Sequence, residues 1–257
     1  MQSLRDRLVF ITGASSGIGE ACAHAFAAQG ARLLLAARRR DRLVALGKKI
    51  EAEHGTQCRT VILDVRDQKK VDASIATLPD EWSPIDVLIN NAGLSRGLVK
   101  LQEGNGPDWD EMIDTNIKGL LYVSRAVVPG MISRKRGDII NIGSIAGHEV
   151  YPNGAVYCAT KFAVRALTEG LRMDLLGTEL RVCSVDPGMV ETEFSLVRFR
   201  GDAARAAKVY EGLKPLCAAD IADAVLYCAT RPAHVNVAEL LLLPTAQRSA
   251  TLVHRGK

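Results

Sequence analysis

Tyr157 and Lys161 stand four residues apart, and Ser144 lies thirteen residues before the tyrosine. Residues four apart on a helix share a face, with Cβ atoms about 5–6 Å apart. An ammonium beside a phenol favours the phenolate, so Lys161 is expected to lower the Tyr157 pKa from its ordinary value near 10. A phenol tuned in this way exchanges a proton near neutral pH, and a serine hydroxyl at the same centre can hold a carbonyl oxygen. The three side chains suit interconversion of an alcohol and a carbonyl, in which the proton moves on oxygen and a hydride moves on carbon. That chemistry requires no metal. The five histidines, His24, His54, His148, His234 and His254, show no ligand spacing, and His148 reads as a loop residue rather than a base. A Tyr-x-x-x-Lys pair also arises on plain surface helices, so its meaning depends on what positions it.

The elements that would position it are regular. Apolar runs at residues 8–12, 32–37, 58–63, 87–90, 138–142, 181–185 and 240–243 read as strands, and helical patterns fill the gaps. The first helix is expected from about 17 to 29, and the second, highly charged, to about 53. Near-continuous apolar strands separated by helices mean a parallel sheet covered on both faces. The fold class is therefore α/β, a doubly wound sheet of Rossmann type. No repeat or linker interrupts residues 1–257, which gives one domain. The stretch from about 189 to 215 is polar, arginine-bearing and irregular, as expected of a substrate lid.

Thr12-Gly13-Ala14-Ser15-Ser16-Gly17-Ile18-Gly19 joins the first strand to the first helix. Glycines there let the backbone turn tightly against a pyrophosphate, and the helix N-terminus supplies N–H donors and a positive dipole end. The second strand runs out at Ala37-Arg38-Arg39-Arg40, where an NAD site would place a carboxylate for the ribose hydroxyls. Arginines opening a helix oppose its dipole, and an anionic ligand resolves the conflict. The expected cofactor is NADP, with Arg38 as the main partner of its 2′-phosphate and Arg39 as the second. Asp41 reads as a helix-start acid.

With 257 residues and 47% hydrophobic content, the chain can build an ordinary core without staples. Its six cysteines, at 22, 58, 158, 183, 217 and 228, form no C-x-x-C pair. They read as reduced, mostly buried thiols of a cytoplasmic protein, with Cys158, next to Tyr157, the one placed to lie near a ligand. A dispersed net charge of +4 gives no basic stripe for nucleic acid. No leader-like stretch or membrane-length apolar run appears.

These pieces resemble the short-chain dehydrogenase/reductase family over nearly the whole chain. The residues that carry the resemblance are Thr12 to Gly19, Asn90-Asn91-Ala92-Gly93, Asn116, Ser144, Tyr157, Lys161 and Pro187-Gly188. The resemblance implies a sheet of about seven strands and, commonly, a homotetramer, with the helix over 154–176 and its small residues Ala159, Ala163, Ala166 and Gly170 at a subunit interface. It makes Tyr157 the general acid/base, Lys161 the residue that lowers its pKa and holds the nicotinamide ribose, and Ser144 the group that orients the substrate oxygen. Asn116 would anchor a water leading from Lys161 to solvent. Gly13, Ser15, Ser16, Gly17, Ile18 and Gly19 would hold the phosphates, Asp64 and Val65 the adenine, and Asn91, Ala92 and Gly93 would pass beside the cofactor. Pro187, Gly188, Val190 and Thr192 would meet its nicotinamide end.

Residues 191–202, 231–237 and 243–247 are similar to segments of the NADP-dependent 3-hydroxy acid dehydrogenases within that family, which oxidise serine or allo-threonine type substrates at C3. Ser95-Arg96 departs from the small or apolar residues usual there. A 3-hydroxy acid carries a carboxylate, which arginine binds well. Arg96, Arg198 and Arg200 are the candidates, each alternatively a solvated loop arginine. Reduction of another aldehyde, ketone or 3-oxoacyl substrate is the alternative activity.

Overall fold

The computed structural model describes residues 2–256, so the end residues of the expected 1–257 unit lie outside it. The first half of the chain runs β1 (Leu8–Thr12), α1 (Gly17–Ala27), β2 (Arg32–Ala37), α2 (Arg40–His54), β3 (Cys58–Ile62), α3 (Gln68–Ala76) and β4 (Ile85–Asn90). It continues through α4 (Gly106–Ile113), a π turn (Asp114–Gly119), α5 (Leu120–Ser133), β5 (Gly137–Ile142), α6 (Ala155–Asp174) and β6 (Leu180–Pro187). The last part holds β7 (Val190–Glu191), α7 (Phe194–Arg198), α8 (Ala203–Lys208), β8 (Leu216–Cys217), α9 (Ala218–Ala229) and β9 (Glu239–Leu242).

Seven of these strands form one parallel sheet in the order β3-β2-β1-β4-β5-β6-β9. Every residue of β1 and β5 is buried, whereas β3 and β9 at the edges are half covered. That is why the central strands read as unbroken apolar runs: both faces are packed. On one face α1, α2 and α9 bury Phe26, Leu43, Ile50 and Val225 against Val9, Leu33 and Val185. On the other, α3, α5 and the end of α6 bury Val71, Val123, Met131 and Leu175 against Phe10, Leu88 and Ile139. The strand order reverses between β1 and β4, and a crevice at such a switch point is where doubly wound sheets bind ligands.

Two sequence expectations change. The first helix stops at Ala27, because Gly30 turns the chain at φ 79°. The segment 189–215 is not irregular: β7 pairs in parallel with β8 and brackets two short helices. Helices of 5 and 6 residues show no resolvable amphipathic period in the sequence.

Candidate active site

A cleft of about 840 Å³ opens along the C-terminal ends of β1, β4, β5 and β6. Every site residue expected from the sequence lines it except Gly19 and Asn116. Gly19 instead lets α1 pack on the strands, since a Cβ there would come 2.5 Å from Asn91 Nδ2.

The cradle at the start of α1 fits a phosphate. Gly13 sits at φ 66°, and an added Cβ would lie 2.9 Å from the Ala92 Cα, so only glycine allows this approach. Ser16 is the N-cap of α1 in an extended conformation, with no side-chain cap bond of its own. Arg39 reaches over this cradle: its Nε donates to Ser15 Oγ at 3.2 Å and its Nη2 to Ser16 Oγ at 2.5 Å. Arg39 and Arg42 both pair with Glu193, at the entry to α7, at 2.8 and 2.6 Å. Arg38 is half exposed, 3.9 Å from Glu111. Asp64 beside it is clasped by Arg66. The expected ranking of Arg38 over Arg39 therefore meets a division of labour, with Arg39 at the cradle and Arg38 farther out. Arg42 was not among the expected residues. Its signal is its place in the first turn of α2, where it shares the N-terminal end with Arg39.

At the other end of the cleft, Ser144 follows β5 and caps the turn at residues 145–147, with Oγ accepting from the Ala146 N–H at 3.1 Å. Tyr157 and Lys161 project from the first turns of α6, both buried. Lys161 Nζ donates to the Ile142 carbonyl at 2.9 Å and lies 6.0 Å from the Tyr157 ring centroid. Burial pulls the lysine down to about 8, with Asp186 acting in the opposite sense.

The expectation that Lys161 lowers the phenol pKa is corrected here. Burial pushes Tyr157 above its ordinary value, reinforced by Tyr151, whereas Arg198 and Ser144 act to lower it. Desolvation outweighs the attraction of cations because the ring is enclosed by Phe194, 5.6 Å away centroid to centroid, and by Arg198, 5.3 Å above it.

Asn116 lies in the π turn between α4 and α5. Its Nδ2 donates to Leu94 O at 2.9 Å and Thr160 Oγ1 at 3.0 Å, and its Oδ1 accepts from the Leu94 N–H at 2.9 Å. Both amide protons are thus spent on protein. The side chain ties α6 to the loop after β4. Cys158 also departs from expectation: it is buried with Leu94, Met112 and Ala146 beneath the cleft rather than facing it. His148, expected as a loop residue, lies between turn and helix with Nε2 2.8 Å from Asp186.

The three arginine candidates separate clearly. Arg96 is held by Glu111 at 2.7 and 3.0 Å and by the Val197 carbonyl. Arg200 is exposed and paired with Asp108. Arg198 has no acidic partner among the described residues. Its guanidinium stacks on Tyr157 and Phe194 and donates to Tyr151 Oη at 3.1 Å, while its buried Nε has no hydrogen-bond partner. Tyr151 and Phe194 were missed in the sequence, where no spacing links them to Tyr157.

A strand–cradle–helix unit for a dinucleotide, with a serine, tyrosine and lysine beyond it, defines a hydride-transfer site, and the chain belongs to the short chain dehydrogenase family, which matches residues 7–201. It is 47% identical over 251 residues to the NADP-dependent 3-hydroxy acid dehydrogenase YdfG of Salmonella typhi, covering 97% of this chain and 100% of that one. It is also 46% identical to sulfoacetaldehyde reductase 2 of Chromohalobacter salexigens, covering 93% and 95% of the two chains. The closed form of serine dehydrogenase complexed with NADP+ superimposes with a TM-score of 0.90 at 44% identity, over 96% of this chain and 99% of that one.

Proposed function

We propose that this protein is an NADP-dependent oxidoreductase that moves a hydride between the cofactor and C3 of a short 3-hydroxy acid such as serine, allo-threonine or 3-hydroxyisobutyrate. In this reading one domain holds both ligands and residues 189–215 form the lid. The observation that carries the substrate class is Arg198, a half-buried cation without an acidic partner among the described residues, lying over the Tyr157 ring with its buried Nε unpaired. A carboxylate two bonds from the reacting carbon suits that guanidinium, and orphaned buried donors call for a partner. The relatives named for 3-hydroxy acids and for sulfoacetaldehyde share an anionic group beside the reacting carbon, which agrees with it.

NADP, when bound, supplies or accepts the hydride. The cradle from Gly13 to Gly19, with Arg39 and Arg42 around it, would hold its phosphates, and Arg38 the outer side of the 2′-phosphate. Asp64 and Val65 would flank the adenine, and Asn91 to Gly93, Pro187, Gly188, Val190 and Thr192 would meet the remainder. Ser144 would fix the substrate oxygen by hydrogen bond. Tyr157, held neutral by burial, would donate its proton to that oxygen in reduction and receive it in oxidation. Lys161 would hold the nicotinamide ribose. Asn116 would act as a positioning residue for α6.

If Arg198 binds the carboxylate, Arg198→Met raises KM for serine and 3-hydroxyisobutyrate by roughly 10- to 100-fold, the range expected for a lost hydrogen bond to a charged group. A neutral aldehyde keeps its KM. Steady-state assays across such a panel decide the matter, and equal KM changes for acidic and neutral substrates would remove Arg198 from this role. Strong reduction of neutral carbonyls by the parent protein, with no turnover of the acids, would favour the alternative reductase. Separately, Arg38→Asp is expected to weaken NADP by roughly 10- to 100-fold and leave NAD nearly unchanged, measured as kcat/KM with each cofactor. An unchanged ratio would mean that Arg39 and Arg42 carry the phosphate without it.

The same reading places the protein in the cytoplasm as a homotetramer. All six cysteines are free thiols, as in reducing compartments. No helix among the described residues is long and apolar enough to cross a membrane. The outer side of α6 exposes Ala159, Phe162, Ala166 and Met173, followed by Leu176, an apolar surface of the kind subunits cover.

A further inference from the structure

Two clusters of metal-ligating side chains form among the described residues, one of them remote from the cleft. The first, His148, Asp186 and Glu239, is already closed by internal bonds: His148 and Ser184 hold Asp186, and Arg165 holds Glu239. The second, His24, Glu53 and His54, is not closed. Glu53 Oε2 lies 3.4 Å from His24 Nδ1 and 4.0 Å from His54 Nε2. Neither ring nitrogen makes a hydrogen bond among the described residues, although the rings meet edge to face at 5.9 Å.

These separations exceed the usual N···O hydrogen bond of about 2.7–3.2 Å. The 3.4 Å separation matches an edge of a coordination tetrahedron, in which ligand atoms about 2.0–2.2 Å from one Zn²⁺ lie roughly 3.3–3.6 Å apart, and the 4.0 Å separation reaches that length with a small side-chain shift. All three donor atoms lie within 4.8 Å of one another. Electrostatics agree. His24 is in the last turn of α1 and His54 ends α2, so the negative ends of two helix dipoles converge on this point. Lys49 approaches the other oxygen, Glu53 Oε1, at 3.9 Å, which leaves Oε2 to the histidines. Both rings are about three-quarters covered, at 27% and 25% exposure, so little side-chain freedom remains to be lost on binding.

The geometry points to a second site on this protein: His24, Glu53 and His54 form a surface site for a borderline divalent transition metal, of which Zn²⁺ is the type, with water completing the shell. Two imidazoles and one carboxylate disfavour Mg²⁺ and Ca²⁺, which prefer all-oxygen shells. The site is structural. It lies roughly 10 Å along α1 and roughly 20 Å along α2 from their N-terminal ends, where Gly17 and Arg39 face the cofactor cleft. A bound ion staples the two helices together and adds stability without taking part in the chemistry. It is independent of the substrate reading above.

Calorimetric titration of the full-length protein with Zn²⁺ is expected to show one ion per chain, and thermal unfolding to show a higher Tm in Zn²⁺ but not in Mg²⁺. The double variant His24→Gln/His54→Gln is expected to lose both signals and keep kcat. Absence of a Zn²⁺ isotherm in the parent protein overturns the site. An isotherm that survives in the double variant also overturns it, because the ion is then held elsewhere, as by the exposed Cys217 thiol. Should the double variant not fold, Glu53→Gln serves alone: an undiminished Tm rise in Zn²⁺ would count against the site.

Discussion

Tyr157→Phe is expected to lower kcat by roughly 10²- to 10⁴-fold, the usual share of a positioned general acid, while Tm and the affinity for NADP stay near their parent values. The split follows from the surroundings of the ring. Phe194 and Arg198 pack on its faces, and phenylalanine keeps those contacts. What it lacks is the hydroxyl, whose pKa burial has raised. The same hydroxyl gives its proton in carbonyl reduction and takes it back in alcohol oxidation, so the loss applies in both directions. Steady-state kinetics in both directions, followed by absorbance of the reduced cofactor, measure it. Retention of kcat to within tenfold would show that the proton comes from another group.

Lys161→Met is expected to do two opposite things. Activity falls by about 10²-fold or more, since the group beside the phenol is lost, yet the protein becomes more stable at neutral pH. Burial holds the folded-state pKa of this lysine at about 8, below its ordinary 10.5. Between those values the unfolded chain binds more protons than the folded one, so stability contributed through this group rises with pH. Below about 8 the lysine is charged in both states, and the folded state bears the full desolvation penalty. Methionine removes that penalty but also the bond to the Ile142 carbonyl. The expected net gain is on the order of 1–3 kcal/mol at neutral pH, shrinking as pH climbs above 8. Thermal unfolding of parent and variant on both sides of that pH checks the sign. A variant advantage that grows with pH would falsify the assignment of a desolvated lysine.

Most of the framework could be read before any coordinates. The strands at residues 8–12 and 32–37 and the cradle between them appear where their local patterns put them. Ser144, Tyr157 and Lys161 meet at one end of a single cleft and the arginines after β2 at the other. The segment 189–215 was legible only as a polar stretch. Its helices are too short to announce themselves, and β7 finds its partner β8 some 26 residues later, a pairing without a local signal.

What the chain order alone carries is local: the period of apolar residues, the glycines that allow a close turn, and the i,i+4 spacing that puts Tyr157 and Lys161 on one face. These depend on backbone geometry within a few residues, so they survive without knowledge of the fold. What waited for packing is energetic and long-range. The phenol rises instead of falling, because desolvation depends on everything that encloses the ring. Of the three candidate arginines, Arg96 and Arg200 are neutralised by Glu111 and Asp108, leaving Arg198 over Tyr157. His24 and His54, unrelated by spacing, converge because α1 and α2 dock side by side on the same face of the sheet. Charge and burial at a site are set by neighbours brought from afar, and a sequence lists those neighbours without saying which of them will meet.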